Sequence, residues 1–133
     1  MKYYYHNEKS PSHLIFNVDD LHSKRIDFFE PDYQFQLSTI KLQKDDIVKR
    51  HKHLLNKKSN FEASTHEAWY IIKGMAKVEL FSGNNLVDTI TLKSGSLLIT
   101  FPNGGHSIKV ESEDFIFLEF KNTPFYPELM KKI

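Results

Sequence analysis

The chain has 133 residues, a length that favours one domain and is too short for two comfortable ones. Lys and Arg total 18 against 17 for Asp and Glu, so no excess of positive charge favours nucleic acid or an acidic membrane as a partner. Cysteine is absent, which excludes disulfides, thiolate ligands and cysteine nucleophiles. A bound metal would therefore need nitrogen and oxygen ligands.

The N-terminal residues, MKYYYHNEKSPSHLIF, show no basic segment leading into an apolar stretch, as a signal peptide would. The longest apolar runs, such as SLLITF, are far shorter than the roughly 20 residues that cross a bilayer. We therefore expect a cytoplasmic protein.

In chain order, the first 32 residues form the least regular part of the sequence. Pro and Asp residues interrupt it, and only 14–16 and 26–29 have the composition of strands, so we expect residues 1–32 to form an N-terminal arm packed on the domain. From Tyr33 onward, short apolar runs with a period of two alternate with turn residues. This pattern predicts eight strands, at 34–42, 46–53, 66–73, 75–81, 87–92, 96–101, 107–111 and 115–120.

Eight short strands favour an all-β sandwich or barrel. We expect residues 33–126 to form this barrel. Residues 127–133 are expected to form a C-terminal tail, because Pro124 and Pro127 stop the last strand.

The first candidate site residues lie in the stretch RHKHLLNKKSNFEASTHEAWYIIKG. His51 and His53 are two residues apart in a predicted strand, so both project from one face and supply two imidazoles to one place. Glu67 shares a strand face with Trp69 and Ile71, where a carboxylate needs a partner because an unpaired buried charge is costly. A divalent cation would be such a partner.

The second candidate stretch is GSLLITFPNGGHSIKV, in which the turn PNGG ends one strand and His106 begins the next. With His51, His53 and Glu67, His106 completes a set of three imidazoles and one carboxylate. Such ligands suit zinc, iron, manganese, nickel or copper. We predict one divalent transition metal at this set, with the remaining coordination positions open to water or substrate.

These motifs resemble the two sequence motifs of the cupin superfamily. The similarity rests on the H-x-H pair, the six residues from Glu67 to Gly74, and Gly95 followed by P-x-G-x-H ending at His106. It covers roughly residues 33–126 and implies a single-domain cupin with a jelly-roll-like β-barrel. It also implies that His51, His53, Glu67 and His106 hold one metal, and that the protein is a homodimer paired through its arm or an edge strand.

The sequence departs from the usual cupin pattern at several positions. Thirteen residues separate His53 from Glu67 where three or four are usual, Ser96 replaces the usual aspartate, and the turn before His106 is one residue shorter. The long loop and the terminal stretch LEFKNTPFY resemble a group of small, mostly uncharacterised cupins. Some of these are associated with surface-polysaccharide biosynthesis or nucleotide-sugar pathways, which favours a small polar, sugar-type substrate.

Each candidate ligand also has a plain structural interpretation. His51 and His53 could lie on an exposed basic strand, Glu67 could be a surface carboxylate near Lys73, and His106 could bond backbone groups. His66 points to the opposite face from Glu67 in a regular strand, so we expect it to lie behind the site or at the surface. His6, His13 and His22 are expected to have no chemical role.

The leading functional hypothesis is Lewis-acid chemistry of the isomerase or epimerase type on a small polar ligand. An iron-dependent dioxygenase is the first alternative, and a non-catalytic sugar- or metabolite-binding cupin is the second. A metal-free reaction would use His106 and Glu67, the two candidate catalytic residues, for acid–base chemistry. The H-x-H pair would then be less necessary, so the sequence favours a metal.

Overall fold

A computed structural model describes residues 2–7, 10–21, 23–56 and 63–133. His22, the side chain of His6 and the central part of the predicted 54–66 loop, residues 57–62, lie outside the described residues. Within them the chain forms strands and two short 3-10 turns, at Val18–Asp20 and Pro127–Leu129, and no α-helix. The predicted all-β fold is confirmed. No helix in the described part of the chain has the length and apolar character needed to span a membrane.

The strands follow the predicted order closely after Tyr33. In the described residues they are β1 (Lys2–Asn7), β2 (Ser10–Ile15), β3 (Arg25–Asp27), β4 (Gln36–Gln43), β5 (Ile47–His53), β6 (Glu67–Lys73), β7 (Met75–Ser82), β8 (Asn85–Lys93), β9 (Leu97–Thr100), β10 (Gly104–Val110), β11 (Asp114–Lys121) and β12 (Met130–Lys132). The eight strands predicted after Tyr33 correspond to β4–β11, with ends that differ by at most three residues.

Two five-stranded sheets face each other. Sheet I has the strand order β12-β5-β10-β7-β8, and sheet II has the order β3-β4-β11-β6-β9. The pairs within both sheets are antiparallel, and β1 and β2 form a separate hairpin. Strand pairing extends past both expected barrel limits, because β3 from the arm pairs with β4 and β12 from the tail pairs with β5.

The space between the sheets changes from polar to apolar along the strands. On sheet II, Gln36 pairs with Lys121 and Ser38 with Glu119, and the same faces continue to Phe117 and Phe115 further along. Aliphatic and aromatic residues fill the apolar end, where Ile71, Val78, Val110 and Phe115 are fully buried. The polar end is therefore the part of the barrel able to bind a ligand by charge or coordination.

Candidate functional site

The four predicted ligands come from both sheets and meet at the polar end. His51 and His53 lie in β5, His106 lies in β10 and Glu67 begins β6. His106 pairs directly with His51, and a register shift between His106 and Ile108 leaves one extra residue in β5. This bulge lets Val48 and His51, three residues apart, both face the interior.

Donor atoms of the four side chains lie at short distances from one another. His53 Nε2 is 2.9 Å from Glu67 Oε2, and His106 Nε2 is 3.3 Å from Glu67 Oε1. His106 Nε2 is also 3.3 Å from His51 Nε2. His53, Glu67 and His106 are buried, and His51 is half-buried. The structure thus brings together every residue that the sequence predicted as a ligand.

Backbone and hydroxyl groups orient two of the imidazoles. His51 Nδ1 lies 2.9 Å from the carbonyl oxygen of Lys49. A carbonyl can only accept, so Nδ1 donates and the neutral ring keeps an unprotonated Nε2 facing the cluster. His106 Nδ1 contacts Thr100 Oγ1 at 3.2 Å, which leaves its Nε2 to face Glu67 and His51.

Gly105 permits the close approach of the two histidine strands. A Cβ at this position would lie 2.9 Å from the carbonyl oxygen of His51. Only glycine therefore fits here without displacing β5 from β10.

The described residues contain no group of three or more His, Cys, Asp or Glu side chains whose present positions could hold a metal ion. The donor atoms instead contact one another directly. Neighbouring ligand atoms around an ion with bonds of about 2.0–2.1 Å are roughly 2.8–3.4 Å apart. The measured 2.9, 3.3 and 3.3 Å agree with this spacing.

Buried polar atoms without a well-aligned hydrogen bond also favour a ligand at this point. His53 Nε2 and both carboxylate oxygens of Glu67 are buried and have no hydrogen bond of acceptable geometry within the described structure, although His53, His106 and Lys121 lie within ion-pair distance of Glu67. Such atoms are costly to bury unless something satisfies them. A cation or a shared proton among the four side chains would satisfy them, and the residues present fit a divalent metal.

The electrostatic environment keeps His106 and Glu67 in the protonation states of metal ligands. Burial lowers the pKa of His106 to about 3, although the nearby Glu67 carboxylate opposes this shift. Burial would raise the pKa of Glu67, but the contact with His53 and the proximity of His106 and Lys121 hold it well below its usual range. A neutral imidazole and an ionised carboxylate are therefore present at neutral pH.

A chain of charged side chains leads from the cluster to the cavity. Lys121 Nζ lies 3.4 Å from Glu67 Oε2 and 3.2 Å from Glu119 Oε1. Arg25 Nη2 donates to the same oxygen of Glu119 at 3.2 Å, and Arg25 Nε donates to Asp27 Oδ1 at 2.8 Å. Burial opposes the charge on Lys121, but Glu67 and Glu119 raise the pKa of its ammonium group.

A cavity formed by the described residues has a volume of about 880 Å³ and reaches this cluster at His51. Its polar lining includes Arg25, Asp27, Ser38, Glu119 and Lys121. The apolar lining includes Ile40, Leu42, Val48, Trp69, Ile108 and Phe117, and Phe29, Pro31, Phe125 and Met130 also line the cavity. The volume is typical of small-molecule sites, which span about 300–1,000 Å³.

Other residues considered from the sequence lie outside the cluster. His66 Nδ1 contacts the carbonyl oxygen of Ser64 at 2.9 Å, and the ring packs edge-on against Phe101. His13 is exposed beside Ser12. Trp69 and Phe117 are buried as expected of core residues, and Trp69 packs on His106 with ring centroids 4.1 Å apart.

Sequence reasoning missed the roles of Lys121, Glu119 and Arg25. The alternation in LEFK placed Glu119 and Lys121 on one strand face, which was a usable signal. Arg25 is 94 residues from Glu119 in the chain, and no local pattern joins the two.

Comparison with known proteins supports the fold. No protein-family model matches the chain, and no curated protein matches it in sequence. Among solved structures, an uncharacterised protein with a double-stranded β-helix domain from Klebsiella pneumoniae subsp. pneumoniae MGH 78578 is similar. Its TM-score is 0.63 at 19% identity, covering 89% of this chain and 95% of that one. A Bacillus halodurans protein is similar with a TM-score of 0.69 at 11% identity, covering 86% and 83%.

Oxalate decarboxylase from Lactobacillus farciminis is similar with a TM-score of 0.58 at 23% identity. That match covers 75% of this chain but 27% of the enzyme, so the chain spans about a quarter of that relative's length. These likenesses show the fold alone. The protein has a double-stranded β-helix fold, and the jelly-roll-like β-barrel implied by the sequence motifs is confirmed.

Proposed function

We propose that the protein is a metal-binding cupin that acts on a small ligand by Lewis-acid chemistry. The observation that carries this proposal is the convergence of His51, His53, Glu67 and His106 with the donor-atom spacing of a coordination shell. Zinc, iron, manganese and nickel all accept this nitrogen and oxygen set.

A divalent ion held by these residues would polarise an oxygen atom of the ligand and lower the pKa of a bound water. Residues of the chain would control the approach of the ligand, donate hydrogen bonds to it and exclude water. His51 is the one member of the four that lines the cavity, so ligand atoms approach the cluster past its ring. Lys121 forms an ion pair with Glu67. It also lines the cavity, where its ammonium group can donate to a ligand oxygen. Trp69 covers His106 and excludes water from behind it.

These features support isomerase- or epimerase-type chemistry on a ligand with oxygen donors. The hydrogen-bonding groups at the polar end would bind the oxygen atoms of a small polar ligand, which the sequence resemblance expects to be of the sugar type. The metal's identity discriminates the alternatives, since bound iron with ligand-dependent oxygen uptake would favour a dioxygenase. Ligand binding without turnover would favour a non-catalytic module.

Elemental analysis of protein purified without metal supplements or a histidine tag tests the proposal. We expect about one equivalent of a divalent transition metal, which is lost in the His51→Ala/His53→Ala double variant together with the metal-dependent part of thermal stability. His13→Ala is the matched control, because His13 is exposed and remote from the cluster. A double variant that keeps full metal occupancy would refute the site.

We also propose that the protein is a homodimer that binds a small molecule. The support is a group of exposed apolar side chains on and beside the edge strand β9. Leu97, Ile99 and Phe101 are 58%, 50% and 55% exposed, and neighbouring Tyr70 is 43% exposed. Contiguous exposed apolar surface of this kind is typical of protein interfaces.

A further inference from the structure

We propose that the cavity binds a monocarboxylate with an apolar body, its carboxylate directed to the His51 end. This inference rests on the proposed metal site and names the substrate class that the site would take. It differs from a sugar-type substrate in the chemistry of the body, because a sugar carries hydroxyl groups around its whole ring.

The cavity walls argue for the apolar body. Six aliphatic or aromatic side chains line the cavity beyond its polar end, and on β4 the lining changes from Ser38 to Ile40 and Leu42. Val48 and Ile108 form the matching wall on sheet I. A hydroxyl group facing these walls would lose its water without gaining a hydrogen bond, which is unfavourable. An aliphatic or aromatic ring would instead gain from leaving water.

The charges at the polar end argue for a monoanionic head. Three carboxylates, from Asp27, Glu67 and Glu119, surround the two cations Arg25 and Lys121, leaving one net negative charge. Lys24 and Glu30 also line the cavity, and their opposite charges leave this sum unchanged. A divalent ion at the cluster changes this to one net positive charge, which a single carboxylate neutralises. Arg25 and Lys121 both line the cavity, so their N–H groups can donate to that carboxylate.

Three probes with rings of the same size distinguish the contribution of the apolar body to binding from that of the carboxylate. Cyclohexanecarboxylate has the apolar body and the anionic head, glucuronate keeps the carboxylate on a hydroxylated ring, and cyclohexylmethanol keeps the body without the charge. Titration calorimetry with the metal-loaded protein should give a dissociation constant for cyclohexanecarboxylate at least about tenfold lower than for either other probe. Its binding should show a negative heat-capacity change, because apolar surface is buried.

Two variants test the two halves of the inference in the metal-loaded protein. Val48→Thr places a hydroxyl in the apolar wall and should weaken the binding of cyclohexanecarboxylate several-fold. Val87→Thr is the same change at a 66% exposed position and should leave this binding unchanged.

Arg25→Gln removes one cation from the cavity and should reduce the preference for cyclohexanecarboxylate over cyclohexylmethanol. Arg50→Gln is its control, since Arg50 pairs with Glu79 outside this cavity.

The outcomes separate this inference from the proposed function. A loaded protein that binds glucuronate as tightly as cyclohexanecarboxylate, or binds neither, overturns the inference and leaves the metal site standing. A protein that takes up no metal contradicts the proposed function, and the carboxylate-binding inference falls with it.

Discussion

Lys121 is the residue on which the buried charges of the polar end depend. Its side chain is 14% exposed and contacts Glu67 and Glu119, whose side chains are 2% and 10% exposed. Replacing it by Met leaves two buried carboxylates without this cation. We expect Lys121→Met to lower the free energy of unfolding of the metal-free protein by about 3 kcal/mol, measured by chemical denaturation.

The control for this change is Lys73→Met. Lys73 also pairs with a carboxylate, Asp114 at 3.4 Å, but its side chain is 63% exposed. Water screens this pair, so its loss should cost less than about 1 kcal/mol. Equal losses in the two variants would show that burial of the Lys121 pairs does not matter.

The carboxyl group of Asp27 makes the stability of the folded protein depend on pH in the acidic range. Burial would raise the pKa of its carboxyl, but the hydroxyl of Ser38 at 2.5 Å and the Arg25 guanidinium lower it below the ordinary value. A lowered folded-state pKa stabilises the protein above the unfolded-state value of about 4, and this stabilisation is lost as the pH falls through the folded-state pKa.

Ser38→Ala should therefore raise the pKa of Asp27, as followed by NMR titration. The stability lost in the variant should be larger at pH 7 than at a pH below the lowered folded-state pKa of Asp27, where this carboxyl is protonated in both proteins. Ser94→Ala removes a hydroxyl that donates to a backbone carbonyl and should give a loss that does not change with pH. A pH-independent loss in Ser38→Ala would contradict the assignment.

At the scale of elements, Gly74 fixes the turn between β6 and β7. Its φ is +87°, and a Cβ would lie 1.9 Å from the carbonyl oxygen of Asp114. We expect Gly74→Ala to cost roughly 3 kcal/mol or more, since backbone strain of about 1–3 kcal/mol adds to a clash with rigid backbone.

Gly83→Ala measures the cost of backbone strain at a position where the added Cβ makes no steric clash. Gly83 has φ +61°, but a Cβ there meets no atom within 4 Å. Its replacement should cost only the strain, about 1 kcal/mol. Thermal denaturation of both variants provides the comparison, and similar losses would mean that the clash at Gly74 is relieved.

Most strands were predictable because their signals are local. Alternating apolar residues identified β4–β11, and Gly74 marked the break between β6 and β7. The strand β12 was missed because its sequence, Met-Lys-Lys, has no apolar alternation and forms a strand by pairing with β5. The convergence of the four candidate side chains was predictable from spacing and motif, whereas the bulge that lets Val48 and His51 share a face depends on pairing with β10.

At the scale of the whole molecule, the arm and the tail complete the cavity. Arg25, Asp27 and Phe29 from the arm and Met130 from the tail line it together with barrel residues. These segments lie far apart in sequence, so they come into contact only in the complete fold. The charged network at the polar end depends on this contact, because Arg25 reaches Glu119 only when β3 pairs with β4.

The exposed apolar surface around β9 leads to the expected dimer. Within the described residues β9 is an edge strand of sheet II, and its free backbone edge and exposed side chains suit pairing with a second copy. Ile99→Asp should convert a species of twice the chain mass into a monomer, measured by light scattering after size exclusion. Val87→Asp is the matched control, because Val87 is 66% exposed on β8, an edge strand of sheet I. A dimer that survives Ile99→Asp and dissociates with Val87→Asp would place the interface on sheet I instead.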